Sequence, residues 1–216
     1  MEFIGDSATL GYGIGSPGRA CSEQEIFSFT DTQASYPALA AKALGADYQV
    51  NAASGMGVVR NYDGAFPERT LPSLYPYTLN DAGARYQAGW SPDIIVLALG
   101  GNDFATPLHP GEKWTTRQAL QDDYVDSFRR FVRGLREKHP TAQFLLLSYD
   151  PANRELAGQL VRVARQLKAA GEHRIDLLSL GPAERSACQW HPSRADHQQA
   201  ADTLVDYIKA RPGLWN

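Results

Sequence analysis

Five short apolar runs recur along the chain, at residues 2–4, 48–51, 94–99, 143–148 and 174–178, and segments of helical character separate them. Runs this short and this rich in Val, Ile, Leu and Phe suit strands buried on both faces of a parallel sheet. The intervening segments 36–44, 120–138, 154–170 and 196–210 read as helices. The clearest begins at Leu120, where Tyr124, Phe128, Phe131, Val132 and Leu135 share one face. It stops at Lys138-His139-Pro140, because a residue before proline is pushed out of the α region. Strands alternating with helices require crossover connections, which are right-handed, and give a three-layer α/β/α sandwich. The stretches 10–32 and 58–90 break the rhythm with Gly, Pro, Tyr and Asn, and are expected to be surface loops.

With 216 residues the chain has enough material for a full core, and residues 1–216 are expected to form a single domain, with no linker or repeat. Its net charge of −3, with no Lys/Arg run, favours neither nucleic acid nor an anionic membrane as partner. No apolar stretch approaches the roughly 20 residues that span a bilayer. Residue 1 leads straight into what reads as a core strand, so the expectation is a chain trimmed from a longer one, and the missing leader says little about location. Cys21 and Cys188 lie 167 positions apart, which excludes a Cys-x-x-Cys pair. From the residues alone, two unrelated buried thiols are the better reading. A disulfide closing so long a loop would add roughly 4–5 kcal/mol on chain-entropy grounds and imply an oxidising compartment.

Ligands of open parallel sheets bind beyond the carboxyl ends of the strands. Gly5-Asp6-Ser7 follows the first run, and Ser54-Gly55-Met56-Gly57 comes soon after the second. Gly101-Asn102-Asp103 follows the third, and Cys188-Gln189-Trp190-His191-Pro192 precedes the last helix. Singly, each has a commoner structural reading. A serine after a strand usually caps the next helix, Gly55 suits a turn, Asn102 and Asp103 suit loops bonded to their own backbone, and Pro192 suits a first helical residue. Together they supply an oxygen nucleophile (Ser7), a base (His191) and oxyanion donors from Ser7 N–H, Gly55 N–H and the Asn102 amide. A glycine at 55 lets its amide approach a substrate without a Cβ. The arrangement is not the mid-chain Gly-x-Ser-x-Gly turn of other serine hydrolases. No His-x-His or His-Glu-x-x-His offers a metal site, and the Gly11–Gly13–Gly15 run lacks the dinucleotide spacing.

These blocks resemble the SGNH hydrolases, named for the Ser, Gly, Asn and His matched here by Ser7, Gly55, Asn102 and His191. More narrowly the chain resembles the catalytic domain of family-two carbohydrate esterases. Segments that carry this are Glu2-Phe3-Ile4-Gly5-Asp6-Ser7, Tyr36-Pro37-Ala38-Leu39-Ala40, Leu99-Gly100-Gly101-Asn102-Asp103-Phe104 and Trp190-His191-Pro192-Ser193. The resemblance implies a five-stranded, flavodoxin-like SGNH fold. It also implies removal of acetyl groups from acetylated plant polysaccharides such as xylan or glucomannan, through an acyl-enzyme. Such enzymes are extracellular or periplasmic and use no metal or organic cofactor. They usually carry a β-sandwich domain ahead of the catalytic one, absent from this sequence. Trp190 and Tyr12 are expected to contact the sugar, and a Cys21–Cys188 bond would brace the histidine loop.

The family's acid, two residues before the histidine, is replaced here by Gln189, and the broader pattern three residues before meets Cys188. Neutralising a triad acid can cost ~10⁴ in turnover. The expectation is therefore a Ser7–His191 dyad whose imidazole is oriented by a backbone carbonyl or by the Gln189 amide oxygen. Asp196, a turn into the last helix, and Asp6, fixed by Ser7's own strand, are poorer substitutes. Two rivals remain: a lipase or thioesterase on longer acyl chains, and a decayed esterase that only binds carbohydrate.

Overall fold

The structure is a computed structural model that describes residues 1–86, 89–149 and 154–214. Residues 87 and 88 of the stretch 58–90 therefore lie outside the described residues. The five expected strands are present as β1 (Glu2–Gly5), β2 (Gln49–Ala52), β3 (Ile94–Ala98), β4 (Gln143–Ser148) and β5 (Ile175–Ser179). They form one sheet in the order β2-β1-β3-β4-β5, every pairing parallel.

Alternation of side chains across each strand divides the core in two. Ile4, Ile95, Leu97, Phe144 and Leu146 point to one face. There they pack with Leu120, Tyr124, Phe128 and Val132 of α5 (Arg117–Lys138) and with Leu156, Leu160 and Val163 of α6 (Arg154–Ala169). Phe3, Ile94, Val96, Leu145 and Leu147 point to the other. Their partners are Tyr36 and Ala40 of α3 (Tyr36–Leu44) and Leu204, Val205 and Ile208 of α7 (Arg194–Lys209). β1, β3 and β4 are buried throughout, whereas the edge strands β2 and β5 are only partly buried and carry Gln49, Asn51 and Asp176.

Three readings are corrected. The stretch 10–32 holds a helix, α2 (Glu23–Phe29), closed by a Ser22–Glu25 capping box. It buries only Ile26 and leaves Phe27 80% exposed, so its sequence has no apolar face to recognise. The stretch 58–90 is not all surface, since Val58, Arg60, Asn61, Leu71 and Leu74 are buried, and α4 (Leu71–Leu74) lies within it. Finally, α7 starts after Ser193, which caps it in a box with Asp196, so Pro192 precedes the helix.

Candidate active site

β1 ends at Gly5, and a short helix, α1 (Ser7–Leu10), starts at once. A Cβ at Gly5 would lie 1.9 Å from Thr9 Oγ1, so only glycine lets α1 close so tightly on the strand. Asp6 caps α1, its Oδ1 accepting from Ala8 N at 3.0 Å. Ser7 is therefore the first helical residue, not the cap, and its hydroxyl serves no capping bond. That hydroxyl is 2.9 Å from His191 Nε2.

The other imidazole nitrogen, Nδ1, is 2.9 Å from the Cys188 carbonyl oxygen. A carbonyl only accepts, so Nδ1 carries the proton and Nε2 presents its lone pair to Ser7. Burial pushes the imidazole below its ordinary pKa, partly offset by the Cys188 and Gln189 carbonyls, while the Arg185 charge adds to the depression. At neutral pH the ring is thus a neutral base. The Gln189 side chain is not the acceptor: its Oε1 takes the Tyr12 hydroxyl at 3.0 Å. Gln189→Ala is accordingly expected to cost less than about tenfold in turnover, since the orienting bond belongs to the backbone. A loss as deep as that of His191→Ala, measured side by side, would place the orienting group in the glutamine.

The loop that delivers His191 is strongly bent, with Gln189 at φ +51° and Trp190 at φ +64°. Both lie in the left-handed region that side chains avoid, and the surroundings hold them there. Cys188 is disulfide-bonded to Cys21, against the reading of two separate thiols. Gln189 N donates to the Arg19 carbonyl at 2.8 Å and Cys188 N to Ser16 Oγ at 2.9 Å. The Arg19 guanidinium lies 3.5 Å from the Trp190 ring centre. Gly13 must lack a side chain here, because its Cβ would meet Cys188 Cβ at 2.5 Å.

Asn102 and Gly55 occupy different positions relative to the pair. The Asn102 amide nitrogen donates to the Met56 carbonyl at 2.9 Å and to Asp6 Oδ2 at 3.2 Å. Asp6 also accepts the Tyr149 hydroxyl at 2.7 Å. Its burial pushes the carboxyl up to about 6, against the lowering effect of the Tyr149 and Ala8 bonds. Gly55 sits at φ +76°, and its Cβ would touch nothing within 4 Å. Its positive φ gives glycine a backbone reason at this position, beside the substrate approach expected from sequence.

Asp103 has a role the sequence did not reveal. Its fully buried carboxylate accepts from the amides of Val58, Val59 and Arg60 at 2.8–3.1 Å, gripping the neighbouring block as well as its own backbone amide. Burial raises this carboxyl to about 6 even so. Gly57 must lack a side chain for this grip, since its Cβ would meet the Arg60 carbonyl oxygen and lie 2.5 Å from Asp103 Oδ2.

Ser7, Asn102 and His191 open on a cleft of about 360 Å³, walled also by Trp190, Tyr62 and Arg185; Gly55 is not among its lining residues. Trp190 is 62% exposed and Tyr62 56%, leaving aromatic faces open at the cleft. Tyr62 was not singled out from the sequence because it lies in the long irregular stretch. Tyr12 packs its ring on the imidazole, with centres 4.2 Å apart. A larger hollow of about 1120 Å³ lies beyond Val58–Asn61, but none of Ser7, Gly55, Asn102 or His191 lines it. Among the described residues no cluster of three His, Cys, Asp or Glu is placed to hold a metal.

Comparison with known proteins gives the same family from sequence and from structure. Residues 3–209 match the GDSL-like lipase/acylhydrolase family. Over 216 residues the chain is 45% identical to an acetylxylan esterase/glucomannan deacetylase of Cellvibrio japonicus (strain Ueda107), covering 100% of this chain and 60% of the relative. The chain thus spans about three-fifths of that relative's length. A carbohydrate esterase described as having divergent catalytic and non-catalytic binding functions in its active site superposes with a TM-score of 0.97 at 45% identity, covering 100% of this chain and 66% of its own. A family-two carbohydrate esterase from Clostridium thermocellum, in complex with cellohexaose, superposes at 0.83 with 26% identity, covering 99% and 64%.

Proposed function

The chain belongs to the GDSL-like lipase/acylhydrolase family, and from that premise we propose that it is a serine esterase removing O-acetyl groups from plant polysaccharides of the xylan or glucomannan type. The observation that carries this is the 2.9 Å contact between Ser7 Oγ and a His191 whose other nitrogen is tied to the Cys188 carbonyl. In the proposed reaction His191 Nε2 takes the Ser7 proton as Oγ attacks the acetyl carbonyl. The oxyanion is held by the Ser7 N–H, the Asn102 amide and the Gly55 N–H; both Asn102 hydrogens have acceptors in the resting site, so the oxyanion competes with the Met56 carbonyl for one. The imidazolium returns the proton to the sugar oxygen as the C–O bond breaks. Water then attacks the acetyl-serine with the same histidine as base, releasing acetate and restoring Ser7.

Support for a carbohydrate substrate comes from the named activity of the relative that is 45% identical and from the exposed Trp190 and Tyr62 rings at the cleft. In this reading residues 1–216 act as one catalytic domain. An extracellular or periplasmic location is favoured by the Cys21–Cys188 disulfide, and among the described residues no helix is long and apolar enough to cross a membrane.

The test is acetate release from acetylated xylan and acetylated glucomannan, paired with rates on p-nitrophenyl acetate, butyrate and octanoate. Acetate is expected to be fastest, by at least about tenfold over octanoate, since the compact cleft gains little from a longer chain. An octanoate optimum would favour a long-chain acylhydrolase instead. A second reading, binding without turnover, is favoured by Cys188 and Gln189 standing where an acid would precede His191 and by the exposure of Trp190. Polysaccharide binding with no acetate released would support it.

A further inference from the structure

We propose that Tyr12 is a positioning residue that supplies, through the face of its ring, part of the orientation and charge stabilisation that an acid gives a catalytic histidine. The inference rests on His191 being the base of Ser7. Both edges of the imidazole are accounted for by Ser7 and by the Cys188 carbonyl, and that carbonyl is neutral. What covers its face is the Tyr12 ring, with centres 4.2 Å apart and planes tilted by 33°. When the ring takes the serine proton it becomes a cation lying on a phenol π-face. Such contacts favour the cation by roughly 2- to 30-fold in equilibrium, well short of the ~10⁴ a carboxylate can contribute.

Tyr12 is also fastened to both halves of the site. Its backbone N–H donates to the Ser7 carbonyl at 3.1 Å, across the turn made by Gly11 at φ +73°. Its hydroxyl donates to Gln189 Oε1 at 3.0 Å, in the loop that carries His191. One residue thus ties the nucleophile's helix to the base's loop, and its tilted ring covers the imidazole between them. Other charged or titratable groups bear on this pair: Arg185 and His197 on His191, and Glu23 on Tyr12.

The experiment compares Tyr12→Leu, Tyr12→Phe and a series of increasingly fluorinated phenylalanines at position 12. Each is read by kcat and KM across the imidazole titration and by NMR titration of the His191 ring. The ring stabilises the cation and so raises the imidazole pKa; removing it should lower that pKa and move the acidic limb of kcat/KM to lower pH. Tyr12→Leu is expected to lose about tenfold in kcat with KM within about twofold, and Tyr12→Phe to lose less than about threefold. Fluorination should lower the His191 pKa stepwise, which decides the matter even if Tyr12→Leu fails to fold. An unmoved pKa through the fluorinated series, or a raised KM at unchanged kcat, would overturn the proposal, the latter by making Tyr12 a sugar contact. If the parent protein released no acetate, the esterase reading would fail by itself, and the NMR titration would still decide the role of Tyr12.

Discussion

Ser7→Ala is expected to lower acetate release by about 10⁴-fold or more while leaving the fold intact. The hydroxyl makes no capping bond, because Asp6 caps α1, and its contact is to His191 Nε2 at 2.9 Å. Ser7 is only 8% exposed, so alanine removes one oxygen from a packed position without exposing core. A small residual rate would reflect what remains of the oxyanion donors and substrate positioning. The measurement is a single-turnover acetate assay on acetylated xylan, with thermal unfolding of both proteins alongside. A variant retaining a tenth or more of parental turnover at equal stability would remove Ser7 as nucleophile.

The second large effect is expected from the disulfide. Replacing both Cys21 and Cys188 by serine should destabilise the protein by about 4–5 kcal/mol, because the bond restricts an unfolded loop 167 residues long. Activity should fall as well, at temperatures where the variant stays folded. The Cys188 carbonyl is the acceptor of His191 Nδ1, and Gln189 and Trp190 beside it are held at left-handed φ. Freed from Cys21, this loop has a lower cost for relaxing toward ordinary backbone angles, and the carbonyl would move off the imidazole. A loss of about tenfold or more in kcat is expected, since small displacements of a catalytic base are costly. Equilibrium unfolding and kcat measured below the transition check the two parts separately. Equal stability with and without the bond would show that the 12–21 segment holds the loop by its other contacts alone.

Much of the site was legible because its residue types sit in order after successive strands. Gly5-Asp6-Ser7 after β1, Gly101-Asn102-Asp103 after β3 and His191 before α7 all fall at the carboxyl end of a parallel sheet, where loops converge. Single residues misled where their partner was distant. Asp103 reads as a self-bonded loop residue, which it is, but nothing local announces that its carboxylate also serves amides more than forty positions away. Gly55 reads as a site of close approach, and its φ of +76° adds a backbone constraint that the residue type alone does not display. The pairing of Cys21 with Cys188 was equally invisible in the residues themselves, because pairing depends on proximity in the fold.

By itself the sequence determined the layered fold and the chemical inventory. Apolar runs buried on both faces can be satisfied only by helices packed on each side, and that periodicity is local information. Only the tertiary structure decided how the base is held. The acceptor for His191 is a backbone carbonyl, a group every residue has, so no side chain in the sequence could mark it. What makes that carbonyl the right one is the bend at Gln189 and Trp190, the bond to Cys21 and the Tyr12 ring lying on the imidazole. The bond and the ring contact are long-range, the bend lies next to them, and the arrangement exists only once the chain has closed.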